Sequence, residues 1–255
     1  MNLGLEDRLC VVTGSTGGIG LAVAELLVVE GARVVTSGRS EKGPGVGEEL
    51  HVAGDLAEPE APAELIRRAN ELGPVDCLVN NVGEAYQADF EELTDEQWEH
   101  MWQLNVMSFI RAIRAVLPGM RERGRGVIVN VASTSGKRPS TSMPNYSVTK
   151  AGVLSLSRLV ADLYARDGIR SNAVTPGPTA TEAWLAPDGL ADQQAERTGK
   201  SRDEVLEAVA KGRPLDRLAE PEEIASVIAF LCSDRANYVT GSAWSADGGT
   251  VPIII

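Results

Sequence analysis

Short apolar runs alternate with helix-length segments along the whole chain. The run at 9–13 is followed by a glycine-rich turn, and 19–29 then carries helical periodicity, which makes one βα unit. Further apolar runs stand at 32–37, 76–80, 126–132, 170–175 and 242–246, with helical stretches between most of them. These runs are apolar at nearly every position instead of at alternate ones, as in strands covered on both faces. The pattern predicts an α/β fold with a doubly wound parallel sheet and helices on both sides. Two segments break the regularity. At 38–50, Gly43, Pro44, Gly45 and Gly47 leave little room for a crossover helix. At 177–212 a long insertion precedes the last helix, mixing Pro187 and Gly189 with a polar helical stretch at 201–209. An insertion of that length in a compact domain reads as a lid over an active site, from about residue 178 to 212.

Size and composition narrow the classes. A chain of 255 residues, 43% hydrophobic and 24% charged, suits one packed α/β domain, taken here as residues 1–255. Against 36 Asp and Glu stand 24 Lys and Arg, a net charge of -12 that repels phosphate backbones and anionic lipid, so neither nucleic acid nor membrane is an expected partner. The first six residues lack a basic stretch leading into a long apolar run, and no segment approaches a membrane span, which gives a cytoplasmic expectation. Cys10, Cys77 and Cys232 lie far apart inside apolar runs and read as buried reduced thiols, with no metal motif in sight.

Chemistry enters at the first βα turn. Thr13-Gly14-Ser15-Thr16-Gly17-Gly18-Ile19-Gly20 joins strand to helix where backbone amides and a helix N-terminus can hold a pyrophosphate. After the second strand, where an acid would accept hydrogen bonds from a NAD ribose, Gly38 and Arg39 stand instead. Arg39 is either a solvated strand-end charge or a partner for a 2′-phosphate, the second favouring NADP(H) over NAD(H).

Tyr146 and Lys150 are four residues apart on one helix face, so an ammonium can lower the pKa of a phenol and let it act near neutrality. By itself the spacing equally describes a surface pair. Ser133 ends an apolar strand at its carboxyl side and either caps a turn or hydrogen-bonds a substrate carbonyl, with Thr134 and Ser135 as neighbouring candidates. On the helix opened by Thr94 and Gln97, a capping box, the stripe Trp98, Trp102, Phe109, Ile113 and Val116 also carries Asn105, a buried amide that needs partners. Helix kinking and proton relay are both compatible with it.

With these residues placed, the chain from Leu5 to Gly249 resembles the short, single-domain branch of the short-chain dehydrogenase/reductase family, a Rossmann-type fold of about seven strands. The matching pieces are the glycine turn, Asp55, Asn80-Asn81-Val82-Gly83, Asn105, Ser133, Tyr146 with Lys150, and Pro176-Gly177. The thirteen positions between Ser133 and Tyr146 (146 minus 133) match the family's separation and select Ser133 over its neighbours. The resemblance implies a tetrad: Tyr146 as general acid/base, Lys150 lowering its pKa and holding the nicotinamide ribose, Ser133 orienting the carbonyl and Asn105 anchoring a water relay. It further implies cofactor contacts at Gly14, Ser15, Thr16, Gly18, Ile19, Gly20, Asp55, Leu56, Asn81, Val82, Gly83, Pro176, Gly177, Thr179 and Thr181, with Arg39 as the NADP-side candidate. Departures are Val82 where the family usually has alanine, the abbreviated 38–50 stretch, and Pro178 after Pro176-Gly177.

The substrate pocket is expected between 84–86, 135–143 and the lid near Trp184 and Leu185, suiting a medium-sized ketone or secondary alcohol. Lys137 and Arg138 read as solvated loop cations. A homotetramer is implied by the resemblance, a dimer being possible, and the apolar tail 251–255 suits an interface. The competing class is a catalytically idle NADP(H) sensor or scaffold, against which the intact tetrad argues. An epimerase of the longer branch would need a further domain.

Overall fold

The computed structural model describes residues 3–252. Seven strands form one parallel sheet: β1 (Leu9–Val12), β2 (Arg33–Gly38), β3 (Leu50–Ala53), β4 (Cys77–Asn80), β5 (Gly126–Val131), β6 (Ile169–Pro176) and β7 (Ala243–Ala246), in the order β3-β2-β1-β4-β5-β6-β7. Chain direction across the sheet reverses between β1 and β4, which opens a crevice at the carboxyl ends of those strands.

Alternation along each strand feeds two cores. Cys10 and Val12 of β1, Val34 of β2 and Val79 of β4 pack on one face against α1 (Gly18–Val29) and α10 (Pro221–Cys232). Leu9, Val11, Val35 and Leu78 pack on the other against α2 (Ala61–Leu72), α4 (Ser108–Arg123) and α6 (Pro144–Tyr164). The three cysteines are free and fully buried, as the sequence suggested, with Cys10 opposite Cys77 in the β1–β4 ladder. No helix separates β2 from β3, in keeping with the glycine content of 38–50.

The stripe through Asn105 needs correction at its start. After α3 (Asp95–Trp102), capped by the Thr94–Gln97 box, residues Gln103–Met107 make a π turn before α4 begins. A π turn inserts a residue into the helical count and offsets the faces on either side of it. Met101 is therefore the buried residue of α3, while Trp102 is 38% exposed and Trp98 half-buried. Phe109, Ile113 and Val116 face the core as expected.

Between β6 and α10 stands a three-helix insertion: α7 (Glu182–Leu185), α8 (Leu190–Thr198) and α9 (Arg202–Lys211). Its two feet are tied by Ala180 N–H to Ala219 O at 2.8 Å and Ala219 N–H to Pro178 O at 3.0 Å. Ser201 and Glu204 form a capping box at the predicted polar helix. The helix α8 is additional to the polar stretch the sequence predicts at 201–209, with Gly189 as its N-cap and Gly199 its left-handed C-terminus. Among the described residues no helix is long and apolar enough to cross a membrane. The expected interfacial tail lies mostly outside the described residues, which end at 252.

The β1–α1 turn is one of the tight contacts of the frame. A Cβ on Gly20 would meet the Gly14 carbonyl oxygen at 2.2 Å and Asn81 Nδ2 at 2.4 Å, and that amide already donates to Thr13 O and Gly14 O. Gly20→Ala must push α1 away from β1. A loss of about 2 kcal/mol is expected, read as a lower urea midpoint at unchanged m-value.

Candidate active site

The switch point opens into a cleft of about 920 Å³. Every sequence-predicted site residue lines it except Ser15, Gly20 and Asn105. The Ser15 hydroxyl is fully buried behind the wall, donating to Val12 O at 2.8 Å and accepting from Ser37 N–H at 2.9 Å, so it ties β1 to β2. Gly20 is likewise packing, against Gly14 and Asn81. Asn105 stands behind the wall.

At the adenine-side end, Gly14 takes φ +62°, and a Cβ there would meet Val82 Cα at 2.8 Å. Thr13 Oγ1 accepts from the N–H groups of Asn81 and Val82, at 2.8 and 3.0 Å, fixing the β4 end to the glycine turn. Gly17 is the N-cap of α1 and offers no side chain to its first amides, which face the cleft. Thr181 packs on Gly18, and Glu182 brings a carboxylate to the same turn. Arg39 is exposed on the cleft wall, with no hydrogen-bond or ion-pair partner among the described residues. Asp55 caps its own turn through Ala57 N–H at 2.9 Å, and Leu56 beside it is buried. Pro176 and Gly177 end β6, and Thr179 Oγ1 donates back to Gly177 O at 3.0 Å.

The other end holds the chemistry. Ser133 fills the first of the two roles the sequence allowed, its Oγ capping α5 (Thr134–Lys137) by accepting from Ser135 N–H at 3.1 Å, and it lines the cleft together with Tyr146. Burial pushes the Tyr146 phenol above its ordinary value, and the neighbouring Ser133 hydroxyl opposes that shift. Lys150 is itself only 3% exposed; burial lowers its ammonium from 10.5 to about 8, and Nζ donates to Val131 O at 2.9 Å. Nζ also stands 5.6 Å from the ring centroids of Tyr146 and Phe109. Asn105 is fully buried: Oδ1 accepts from Glu84 N–H at 3.0 Å, while Nδ2 donates to Glu84 O at 3.0 Å and Thr149 Oγ1 at 3.3 Å. The π turn places this amide against the loop after Gly83.

Two surrounding residues depart from expectation, and one pair was not anticipated. Tyr86 does not line the cleft; its hydroxyl accepts from Asn145 Nδ2 at 2.7 Å, and Gln87 lines the wall instead. Lys137 is a clamp instead of a solvated cation, donating to Ala243 O and Ser245 Oγ at 2.9 Å each. Glu84 and His100, paired at 2.8 Å on the cleft wall, were not singled out together because sixteen residues separate them (100 minus 84) and no periodicity links them. Among the described residues no group of three His, Cys, Asp or Glu could hold a metal ion.

Comparison with known proteins follows the same lines. Residues 14–251 match the family model described as enoyl-(acyl carrier protein) reductase. The chain is 36% identical over 250 residues to an acetoacetyl-CoA reductase of Synechocystis, covering 97% of this chain and 98% of that one. It is also 36% identical over 260 residues to the uncharacterized oxidoreductase YvrD of Bacillus subtilis, covering 98% and 99%. L-sorbose reductase of Gluconobacter frateurii, solved with NADPH and L-sorbose, superposes with a TM-score of 0.92 at 35% identity over the whole of both chains.

The buried lysine makes a pH-dependent prediction. Its folded pKa of about 8 lies below the unfolded value, so between pH 8 and 10.5 the unfolded chain holds the extra proton. The penalty on folding, at most about 3 kcal/mol, is fully present below pH 8 and disappears as pH rises towards 10.5. Lys150→Met is expected to melt above wild type at pH 7 by a few degrees, with the gap closing by pH 10.5 in paired calorimetric scans.

Proposed function

The chain belongs to the short-chain dehydrogenase/reductase family, oxidoreductases acting between CH–OH and C=O groups, and we propose that it is an NADP(H)-dependent member in which Tyr146 moves the proton. The observation that carries this is the convergence of Ser133, Tyr146 and the buried ammonium of Lys150 on the wall of the cleft that also holds the glycine turn.

The residues fit a phosphorylated dinucleotide. Uncapped amides of α1 suit a pyrophosphate, Gly14 keeps the cradle free of a side chain, and Arg39 offers an unpaired fork for a 2′-phosphate. L-sorbose reductase carries NADPH in its structure, which supports the same assignment here. Bound in this way the nicotinamide supplies or takes up hydride.

The protein's part is positioning and proton transfer. Ser133 Oγ and Tyr146 Oη converge on one carbonyl or hydroxyl oxygen, so a bound ketone has two donors where negative charge develops. Tyr146 gives its proton to that oxygen in reduction and takes it back in oxidation. Lys150, anchored on Val131 O, keeps a cation beside the phenol; when Tyr146 is ionised that cation stabilises it, whereas burial alone would oppose it. Asn105 holds the Glu84 peptide, which fixes the wall between Lys150 and solvent and suits the anchoring of a water relay. The insertion at 178–212 serves as a lid: Gln87 N–H bonds Gln193 Oε1 at 2.9 Å and Arg197 pairs with Asp89, so α8 rests on the loop after Glu84. An idle sensor would have no use for a buried lysine beside a tyrosine and a serine on one cleft wall. We assign a homotetramer, after the family resemblance, as the working assembly.

Two substitutions test the parts separately. Tyr146→Phe is expected to keep NADPH affinity and lose turnover by about 10²- to 10⁴-fold, in titrations and initial rates on a carbonyl panel; retained turnover removes Tyr146 from the chemistry. Arg39→Ala is expected to weaken NADPH binding by about 10- to 100-fold while NADH changes little. Equal losses for both cofactors would return Arg39 to a plain surface charge.

A further inference from the structure

Beyond Gly83 the cleft wall mixes apolar side chains such as Leu104, Met143 and Trp184 with a polar stretch that is tied to the catalytic centre. Both backbone groups of Glu84 are held by the amide of Asn105, at 3.0 Å each, so the residue cannot shift without orphaning a fully buried side chain. Its carboxylate is aimed by a second constraint, His100 Nε2 at 2.8 Å from Oε1. Neither side chain is sealed away: Glu84 is 38% exposed and His100 54%, and both line the cavity that holds Ser133 and Tyr146. Glu84 Oε2 has no protein donor among the described residues. Neutral polar groups continue the wall, with Gln87 and Gln194 on one side and Ser140 beside Ser142, 3.2 Å apart, on the other.

Such a wall sorts substrates. A hydroxyl donating to Glu84 makes a charge-assisted bond with an acceptor that is already in place, so little ordering entropy opposes it. An alkyl chain in the same position strips water from the carboxylate and returns nothing. A carboxylate or phosphate brought there meets a like charge at short range. Resting on the oxidoreductase function above, we propose that the substrate is an uncharged polyhydroxylated ketone, interconverted with its polyol, and that Glu84 selects it by accepting a hydrogen bond from a substrate hydroxyl. The reaction balances as a two-electron reduction: hydride reaches the carbonyl carbon, a proton from Tyr146 reaches the oxygen, and NADPH leaves as NADP⁺. Glu84 takes no part in the transfer and acts on which ketone is seated.

Steady-state kinetics with NADPH on the intact protein test this with three ketohexoses (L-sorbose, D-fructose and D-tagatose), 2-hexanone as the deoxygenated six-carbon ketone, and acetoacetyl-CoA as a charged thioester. For the best ketohexose, kcat/KM is expected to exceed that for 2-hexanone by about 100-fold or more. Glu84→Leu is expected to cut that ratio at least about 10-fold, with NADPH affinity retained as the check on folding. Glu84→Gln keeps the size and loses the charge, and is expected to lower the ratio by a smaller factor, which keeps the test intact if the leucine variant misfolds. Preference for 2-hexanone or acetoacetyl-CoA, absence of turnover of every ketohexose by protein that binds NADPH, or an unchanged ratio in the variants overturns the proposal. Failure of wild type to bind NADPH at all sinks the parent function and this proposal with it.

Discussion

A buried ammonium dictates much of this architecture. Lys150 reaches from α6 to the end of β5, and the bond to Val131 O is its one hydrogen bond to a protein acceptor among the described residues, so burial depresses its pKa to about 8. Everything that approaches it is trimmed to fit. Gly83 has no side chain where a Cβ would come 3.4 Å from Nζ and 2.9 Å from Asn105 Oδ1, and Gly136 none where a Cβ would meet the Lys150 carbonyl at 2.7 Å. The ring of Phe109 closes the back of the site at 5.6 Å from Nζ. A charge kept this dry costs folding free energy, which the two apolar cores flanking the sheet must offset.

The same economy of space explains why Asn105 sits in a π turn. An ordinary helix from Thr94 to Arg123 would present one continuous apolar stripe, and a side-chain amide on it would be orphaned against the core. The inserted residue lets Met101 fill the core before the turn and Phe109 after it, while the amide meets the backbone of Glu84 on both sides. One local irregularity thus connects a buried polar group, the loop after β4 and the substrate wall.

These features differ in how far the sequence revealed them, and the difference is physical. Strand runs, the Thr94 capping box and the Tyr146–Lys150 spacing depend on neighbours within a few residues, so the chain itself carries them. Ser133 was legible as an alternative between cap and substrate donor, and the structure shows the cap with the residue also lining the cleft. The π turn left no mark in the composition of Gln103–Met107, and Trp102 was misplaced for that reason. Pairings across long separations were invisible: Glu84 with His100, Lys137 with β7, and Ser15 with the backbone between β1 and β2. A serine inside a glycine-rich turn reads as a ligand contact until its burial is known.

Charge poses the last constraint, because a chain of net charge -12 is assigned an anionic cofactor. Charges spread over the surface are screened within a Debye length of about 10 Å at 0.1 M salt, so they govern approach more than the bound state. Within the cleft the balance is different. Arg39 stands unpaired at one end, the bare amides of α1 in the middle and the Lys150 ammonium at the other, a line of positive potential along the crevice at the switch point. Among the described residues Glu182 from the insertion is the carboxylate brought against the glycine turn, and it is carried on α7, in the insertion whose feet are clamped at Thr179 and Ala219. The sheet ends and the glycine turn thus favour phosphates, while the carboxylate carried on the insertion opposes them, so the two parts of the cleft differ in the sign of the charge they present.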